Sequence, residues 1–252
     1  MLRKFFITVF AVFIFSGTAY AMHPLITDDA GTEGKGGFLL EVNFEYGHDD
    51  ENGTKTDTFD SEAILNYGIL NNTDIILTVP HQYIKTRASG TEDAEDGITD
   101  LSMELKWRFF EKNGLSVAAK PVVFFPSGDE KKGLGAGRLT YGGFIIATLE
   151  KGPWAFHYNL GYTKNENKVD EKKDIWETTL AVELELMKSF KAVGDIGIKE
   201  NAEKTSNVDP AFILGGFVYS LTKHIDIDVG VKTGLTQSET DYSILTGVAI
   251  SF

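Results

Sequence analysis

The chain has 252 residues, with 24 Lys and Arg against 37 Asp and Glu, a net charge of −13, and no cysteine. The acidic excess excludes nucleic acid as a partner, because phosphates must be neutralised by Lys and Arg. The lack of cysteine excludes disulfides, thiolate metal sites and CxxCH haem attachment, so stability has to come from architecture.

Arg3 and Lys4 open a short basic stretch, 5–15 is an almost unbroken apolar run, and Ala19-Tyr20-Ala21 is a small-x-small cleavage pattern. The run is too short to cross a bilayer as a helix. Residues 1–21 therefore read as a signal peptide cleaved near Ala21. Its removal takes two of the 24 basic residues and none of the 37 acidic ones, moving the net charge to −15. Residues 22–36 hold Pro24, Gly31, Gly34 and Gly36 and have no strand period. They read as an N-terminal periplasmic segment, either a plug folded into a lumen or a linker into the first strand. The linker is preferred, since so short a stretch buries little. Asp28 and Asp29 suit a turn, because Asp side chains bond nearby amides, and two carboxylates are too few for calcium.

From residue 37 the period becomes two. Phe38, Leu40, Val42, Phe44 and Tyr46 alternate with Glu41, Asn43 and Glu45, and the pattern recurs through Trp154–Tyr162 and Trp176–Leu186. Such alternation marks strands with one apolar and one wet face. It yields about twelve, over 37–47, 58–69, 73–85, 98–110, 115–125, 138–149, 153–164, 175–187, 190–200, 209–221, 223–235 and 241–252. Each is near the ten residues that a tilted transmembrane strand needs. Long polar loops at 48–57, 86–97, 126–137, 165–174, 201–208 and 236–240 alternate with short turns. The expected fold is all-β: a transmembrane antiparallel up-and-down barrel over 37–252, with 10 or 14 strands as the neighbouring counts.

A soluble sandwich or lipocalin-like barrel would place the apolar face inward. Against it stand Trp and Tyr near strand ends (Tyr46, Tyr67, Tyr83, Trp107, Trp154, Tyr162, Trp176, Tyr219, Tyr242), as in an interfacial girdle. The expected location is the outer membrane of a Gram-negative bacterium, with lipid or lipopolysaccharide as surroundings.

The wet faces supply the candidate lumen charges. Lys106, Arg108, Lys120 and Arg138 fall on strands four to six; Glu41, Glu45, Asp60, Glu62, Glu177, Glu183, Glu185, Asp226 and Asp228 lie elsewhere. One reading is a transverse field that selects a solute, as charged rings do in channels. The other is a salt-bridged interior that fills the barrel. A hydrolase would need Ser and His in register. His157 and His224 point inward and His81 outward, with no nucleophile motif and no HExxH, so no catalytic residue, metal or cofactor is expected. Acidic loop runs such as Asp49-Asp50-Glu51 read as solvated charge.

The stretch His23–Gly47, HPLITDDAGTEGKGGFLLEVNFEYG, with 97–110, 122–129 and 214–235, resembles a family of outer-membrane barrels named after the meta-pathway of phenol degradation. Thr27, Asp28 and Asp29 carry its most specific segment. The resemblance implies a passive channel or transporter for a small solute, aromatic or hydrophobic by the family's name. A non-conducting structural barrel is the alternative and a lipid or ester hydrolase the least favoured. The stretch Tyr242–Phe252 resembles the signal read by the outer-membrane barrel-assembly machinery: Gly247, Ile250 and Phe252 fit, and Leu245 stands where the signal has a polar residue.

Overall fold

The computed structural model describes residues 22–51 and 53–252, so the signal peptide assigned to 1–21 lies outside the described residues. The strands are β1 (Phe38–Glu51), β2 (Thr54–Leu70), β3 (Thr73–Ala88), β4 (Thr91–Ile98), β5 (Leu101–Lys112), β6 (Leu115–Phe125) and β7 (Thr140–Lys151). They continue as β8 (Trp154–Lys164), β9 (Asp174–Met187), β10 (Phe190–Lys199), β11 (Ala211–Thr222), β12 (Ile225–Gly234) and β13 (Tyr242–Ser251). Every neighbouring pair is antiparallel. The sheet closes where β1 meets β13, in register from Leu39↔Ser251 to His48↔Tyr242. Closure is obligatory in lipid, where an open edge would leave N–H and C=O groups without partners.

The barrel is twelve-stranded because β4 and β5 are two parts of one stave. β4 pairs with the outer half of β3 (His81↔Ile98 to Ala88↔Thr91) and β5 with its inner half (Thr73↔Trp107 to Thr78↔Ser102). The break falls at Pro80 of β3, which has no N–H to give to the ladder; its carbonyl accepts instead from Thr99 N at 3.1 Å. Proline likewise sets the start of β11: Pro210 stays outside and Ala211 begins the strand.

Two expected loops are not loops. Residues 48–51, 54–57 and 86–97 continue the ladder, with Asp50↔Lys55 and Arg87↔Glu92 opposite one another. Beyond the bilayer neither face must be apolar, so alternation vanishes while hydrogen bonding persists. Cross-strand charges replace it, including Lys55–Asp50 at 3.1 Å, Arg87–Asp57 at 2.7 Å and Lys85–Glu92 at 2.7 Å. At the tip of the second hairpin Ser89 and Gly90 have φ of 52° and 82°, the pair of left-handed residues that a tight hairpin turn requires.

Packing is inverted relative to a soluble barrel. Phe44, Trp107, Trp154, Trp176 and Val231 are exposed, while Asn43, Lys106, Thr148, His157, Asp195 and Asp228 are buried. An exterior of this kind is stable only against lipid. Of the expected girdle, all but Tyr162 are exposed; Tyr162 lies half-buried against Trp176, ring centroids 4.7 Å apart. Tyr46, Phe59 and Tyr83 stand side by side on three strands, forming one aromatic row.

Candidate functional site

The described N-terminal residues do not form a linker. They enter the barrel and follow its inner wall, meeting the strands in nearly reverse order. His23 Nδ1 lies 2.5 Å from Asp228 Oδ1 on β12. Pro24 fills the space left at Gly216 and Gly230, where a Cβ would come within 2.8 Å of its ring. Ile26 and Thr27 donate their amides to Asp195 Oδ2 on β10, at 2.8 Å each, and the Thr27 hydroxyl donates to Oδ1 at 2.6 Å. Asp28 and Asn159 on β8 exchange reciprocal bonds of 2.9 and 2.8 Å. Ala30 N donates to Thr148 Oγ1 on β7 at 2.9 Å, Glu33 N to Asp74 Oδ2 on β3 at 2.9 Å, and Gly36 N to the Gly68 carbonyl on β2 at 2.7 Å.

This hoop is geometrically reasonable. Twelve strands about 4.8 Å apart and tilted by about 40° give a backbone radius of about 12 Å. Fifteen residues reach at most about 50 Å, enough for one circuit inside that wall. The hoop buries little apolar surface, Leu25 against Leu214, Val218 and Leu245 and Ala30 against Ala118 and Ile146. Fixation comes instead from backbone N–H groups given to inward side chains.

The strongest anchor is Asp28. Its Oδ1 lies 2.7 Å from Lys106 Nζ and its Oδ2 2.8 Å from Lys120 Nζ, and Lys120 also reaches Glu104 Oε2 at 3.1 Å. Burial opposes ionisation of Asp28, but the two ammonium groups outweigh it and hold its carboxyl below the usual carboxylate range. Glu33, on the same hoop, has no such clamp: burial first, then the Asp74 carboxylate, push it up to about 7.

The expected basic wall is therefore only partly present. Lys106 and Lys120 are neutralised by the hoop. Arg108 pairs with Glu111 at 3.2 Å near the turn at 113–114. Arg138 belongs to no strand: it is exposed in the segment before β7, which starts only at Thr140. Among the acids, Glu183 binds Lys191 at 2.9 Å, Glu45 binds Lys232 at 2.9 Å, and Asp60 accepts from Gln82 at 2.7 Å. Asp228 holds His23, Glu185 lines the lumen cavity, and Glu177 and Asp226 are half-buried. Asp195, Asn159, Thr148, Glu104 and Asp74 escaped the sequence reading, although each is polar on an otherwise standard inward face.

Each of the candidate histidines has a polar neighbour. His157 Nδ1 meets Thr148 Oγ1 at 3.0 Å while its Nε2, 3.7 Å from Glu183, is buried without a hydrogen-bond partner among the described residues; His224 meets Ser251 Oγ at 3.3 Å, and His81 pairs with Asp96 at 3.1 Å. No group of His, Asp or Glu with metal-holding geometry is present among the described residues. At the closing strand, Gly247 faces inward, where a Cβ would lie 2.5 Å from Asn43 Oδ1, 2.7 Å from Asp228 Oδ2 and 2.8 Å from His23 Nδ1. Phe252 is exposed, its ring edge-on to Phe38 at 5.8 Å, and Ile250 sits opposite Leu40.

Beside the hoop runs a cavity of about 860 Å³. Its lining includes Glu111 and Gly152, next to the two-residue turns at one end, and Asp60 and Gln82, level with the Tyr46–Phe59–Tyr83 row. Twelve lining residues are Asp or Glu and four are Lys or Arg. An arrangement of this kind can pass or hold a small solute and favours positive charge.

Residues 21–252 match the family described as "Putative MetA-pathway of phenol degradation". No curated protein sequence matches the chain. In fold it is similar to an outer membrane channel from Pseudomonas putida F1, at 11% identity and TM-score 0.72 over 89% of this chain and 98% of that one. It is also similar to the NanC porin (11% identity, TM-score 0.58, 84% and 98% covered) and the KdgM porin (8%, 0.58, 84% and 99%). At these identities the likeness concerns the fold.

Proposed function

The chain belongs to the phenol-degradation family matched over residues 21–252, and from that premise we propose that it is an outer-membrane channel for passive passage of a small solute. The observation that carries the reading is the cavity of about 860 Å³, which reaches from the short-turn end to the upper aromatic row past a hoop that narrows the lumen without filling it. A purely structural barrel has no need of such a cavity, and the hydroxyl beside His157 that a hydrolase could use, Thr148 Oγ1, is buried and already accepts from Ala30 N. Aromatic compounds are the solute class suggested by the family description. The end carrying the five two-residue turns at 71–72, 113–114, 152–153, 188–189 and 223–224, with the start of β1 and the end of β13 beside it, belongs on the periplasmic side, as in barrels of this class. In that role Gly247, Ile250 and Phe252 would serve recognition by the assembly machinery.

The test is planar-bilayer recording of refolded protein together with solute uptake into liposomes. Discrete small conductance steps and uptake of a small aromatic solute support the channel. Refolded barrel that gives neither current nor uptake contradicts it.

A further inference from the structure

Four inward rungs join β1 to β2: Leu39 opposite Asn66, Glu41 opposite Ile64, Asn43 opposite Glu62, and Glu45 opposite Asp60. Among the described residues Glu41, Glu62 and Asp60 form no ion pair, whereas Glu45 is paired with Lys232 at 2.9 Å. Glu33 of the hoop faces the same stripe through Asn66, whose Nδ2 donates to it at 3.4 Å. Two carboxylates at one edge of a cavity are by themselves an ordinary solvated wall. What distinguishes this wall is the state of its amides. Asn43 and Asn66 are 5% and 7% exposed and line the cavity. Each gives its amide N–H to a carboxylate, Asn43 to Glu62 at 3.1 Å and Asn66 to Glu33. The Oδ1 atom of each is buried without a hydrogen-bond partner among the described residues.

The wall thus presents mostly acceptors: the carboxyl groups of Glu33, Glu41 and Glu62 and the two amide oxygens. Buried acceptors of this kind are costly until a donor meets them, and carboxylates prefer a charged donor. Ile64 and Ile76 line the same cavity and offer apolar contact for the body of a ligand. The neighbouring wall, one strand away across β3, does not compete for a cation, because Lys106 on β5 and Lys120 on β6 repel it and are already taken by Asp28.

We propose that the Glu41–Glu62 wall is a binding site for an organic cation, an ammonium group carried on a small apolar or aromatic body. The proposal rests on the channel reading for its purpose, since it assigns the solute class, but the site itself stands on the acceptor geometry. An ammonium head supplies three N–H donors to the carboxylates and amide oxygens while its ring lies along Ile64 and Ile76. A carboxylate-bearing solute of the same shape would be repelled, and a neutral alcohol would satisfy the site only in part.

The test uses benzylammonium, benzyl alcohol and benzoate as probes on the refolded full-length mature protein. Binding is measured by calorimetry in detergent, and uptake in liposomes. The wall requires that benzylammonium bind at least tenfold tighter than benzyl alcohol, with no binding of benzoate. Glu41→Gln combined with Glu62→Gln should remove that preference at least tenfold while the barrel keeps its heat-modifiable migration on gels. Gln is close to isosteric with Glu, and Glu41→Gln alone serves if the double variant does not refold. Equal affinity for all three probes, or a preference unchanged by the variants, overturns the site. If the protein conducts but shows no preference, the site fails and the channel stands. If benzylammonium binds but no current or uptake is seen, the channel fails and the site stands.

Discussion

The two sides of the inner wall handle charge in opposite ways. On β5 to β8 the buried bases are saturated: Lys106 and Lys120 grip Asp28 from both sides, and Asn159 and Thr148 hold the neighbouring backbone. On β1 and β2 the acids Glu41 and Glu62 form no ion pair among the described residues, and the asparagines beside them keep unpaired oxygens. One side spends its polarity on fastening the hoop, while the other leaves its polarity facing the cavity. Charge in this lumen cannot be read as a sum over wall residues, because the segment that folds against the wall decides which charges a solute would meet.

Deleting residues 22–36 should abolish the contrast and have the largest effect. Conductance is expected to rise severalfold, and selectivity to move toward anions as Lys106 and Lys120 become uncovered. Bilayer recording of the deletion variant checks both, and an unchanged step size would mean that the hoop does not limit the path.

Asp28→Asn keeps the hoop but leaves two buried ammonium groups facing a neutral amide. Breaking a buried ion pair costs about 3–5 kcal/mol, with the lower end expected because Asp28 keeps 20% of its side chain exposed. Thermal unfolding in detergent should show a clearly lower midpoint than Glu62→Gln, which removes a charge from the unpaired side. If the two variants melt alike, the two sides are not energetically different.

Gly247→Ala probes the far end of the hoop. The added methyl would meet Asn43, Asp228 and His23 at under 3 Å, so a loss of about 1–3 kcal/mol is expected from forced displacement. Loss of stability with unchanged selectivity is the expected result. The smallest effect belongs to Arg138→Glu: the residue lies off the lumen wall, and reversal potentials should not move.

What could be read in advance follows from where lipid acts. Between the aromatic rows each strand must show lipid an apolar face, so β6, β8 and β13 stand almost where alternation placed them. Past the upper row that demand ends. The hairpins formed by β1 with β2 and by β3 with β4 carry charge on both faces and looked like loops. The hoop was invisible for a different reason. Its bonds join residues as far apart as Thr27 and Asp195, and they use backbone amides that any sequence would supply. A hint lay in β10, where Asp195 stands on the inward face between Gly194 and Gly197 with no opposing base. The charges of the wall were legible; their neutralisation by Asp28 required the fold.

The most direct measurement is the reversal potential of the full-length mature barrel in a potassium chloride gradient, recorded in planar bilayers. With the bases clamped and the acids of β1 and β2 facing the path, the barrel is expected to prefer potassium over chloride, and Glu41→Gln with Glu62→Gln should bring that preference toward none. A preference for chloride in the unaltered protein would contradict the account, because it would mean that the clamped lysines, and not the unpaired carboxylates, govern the lumen.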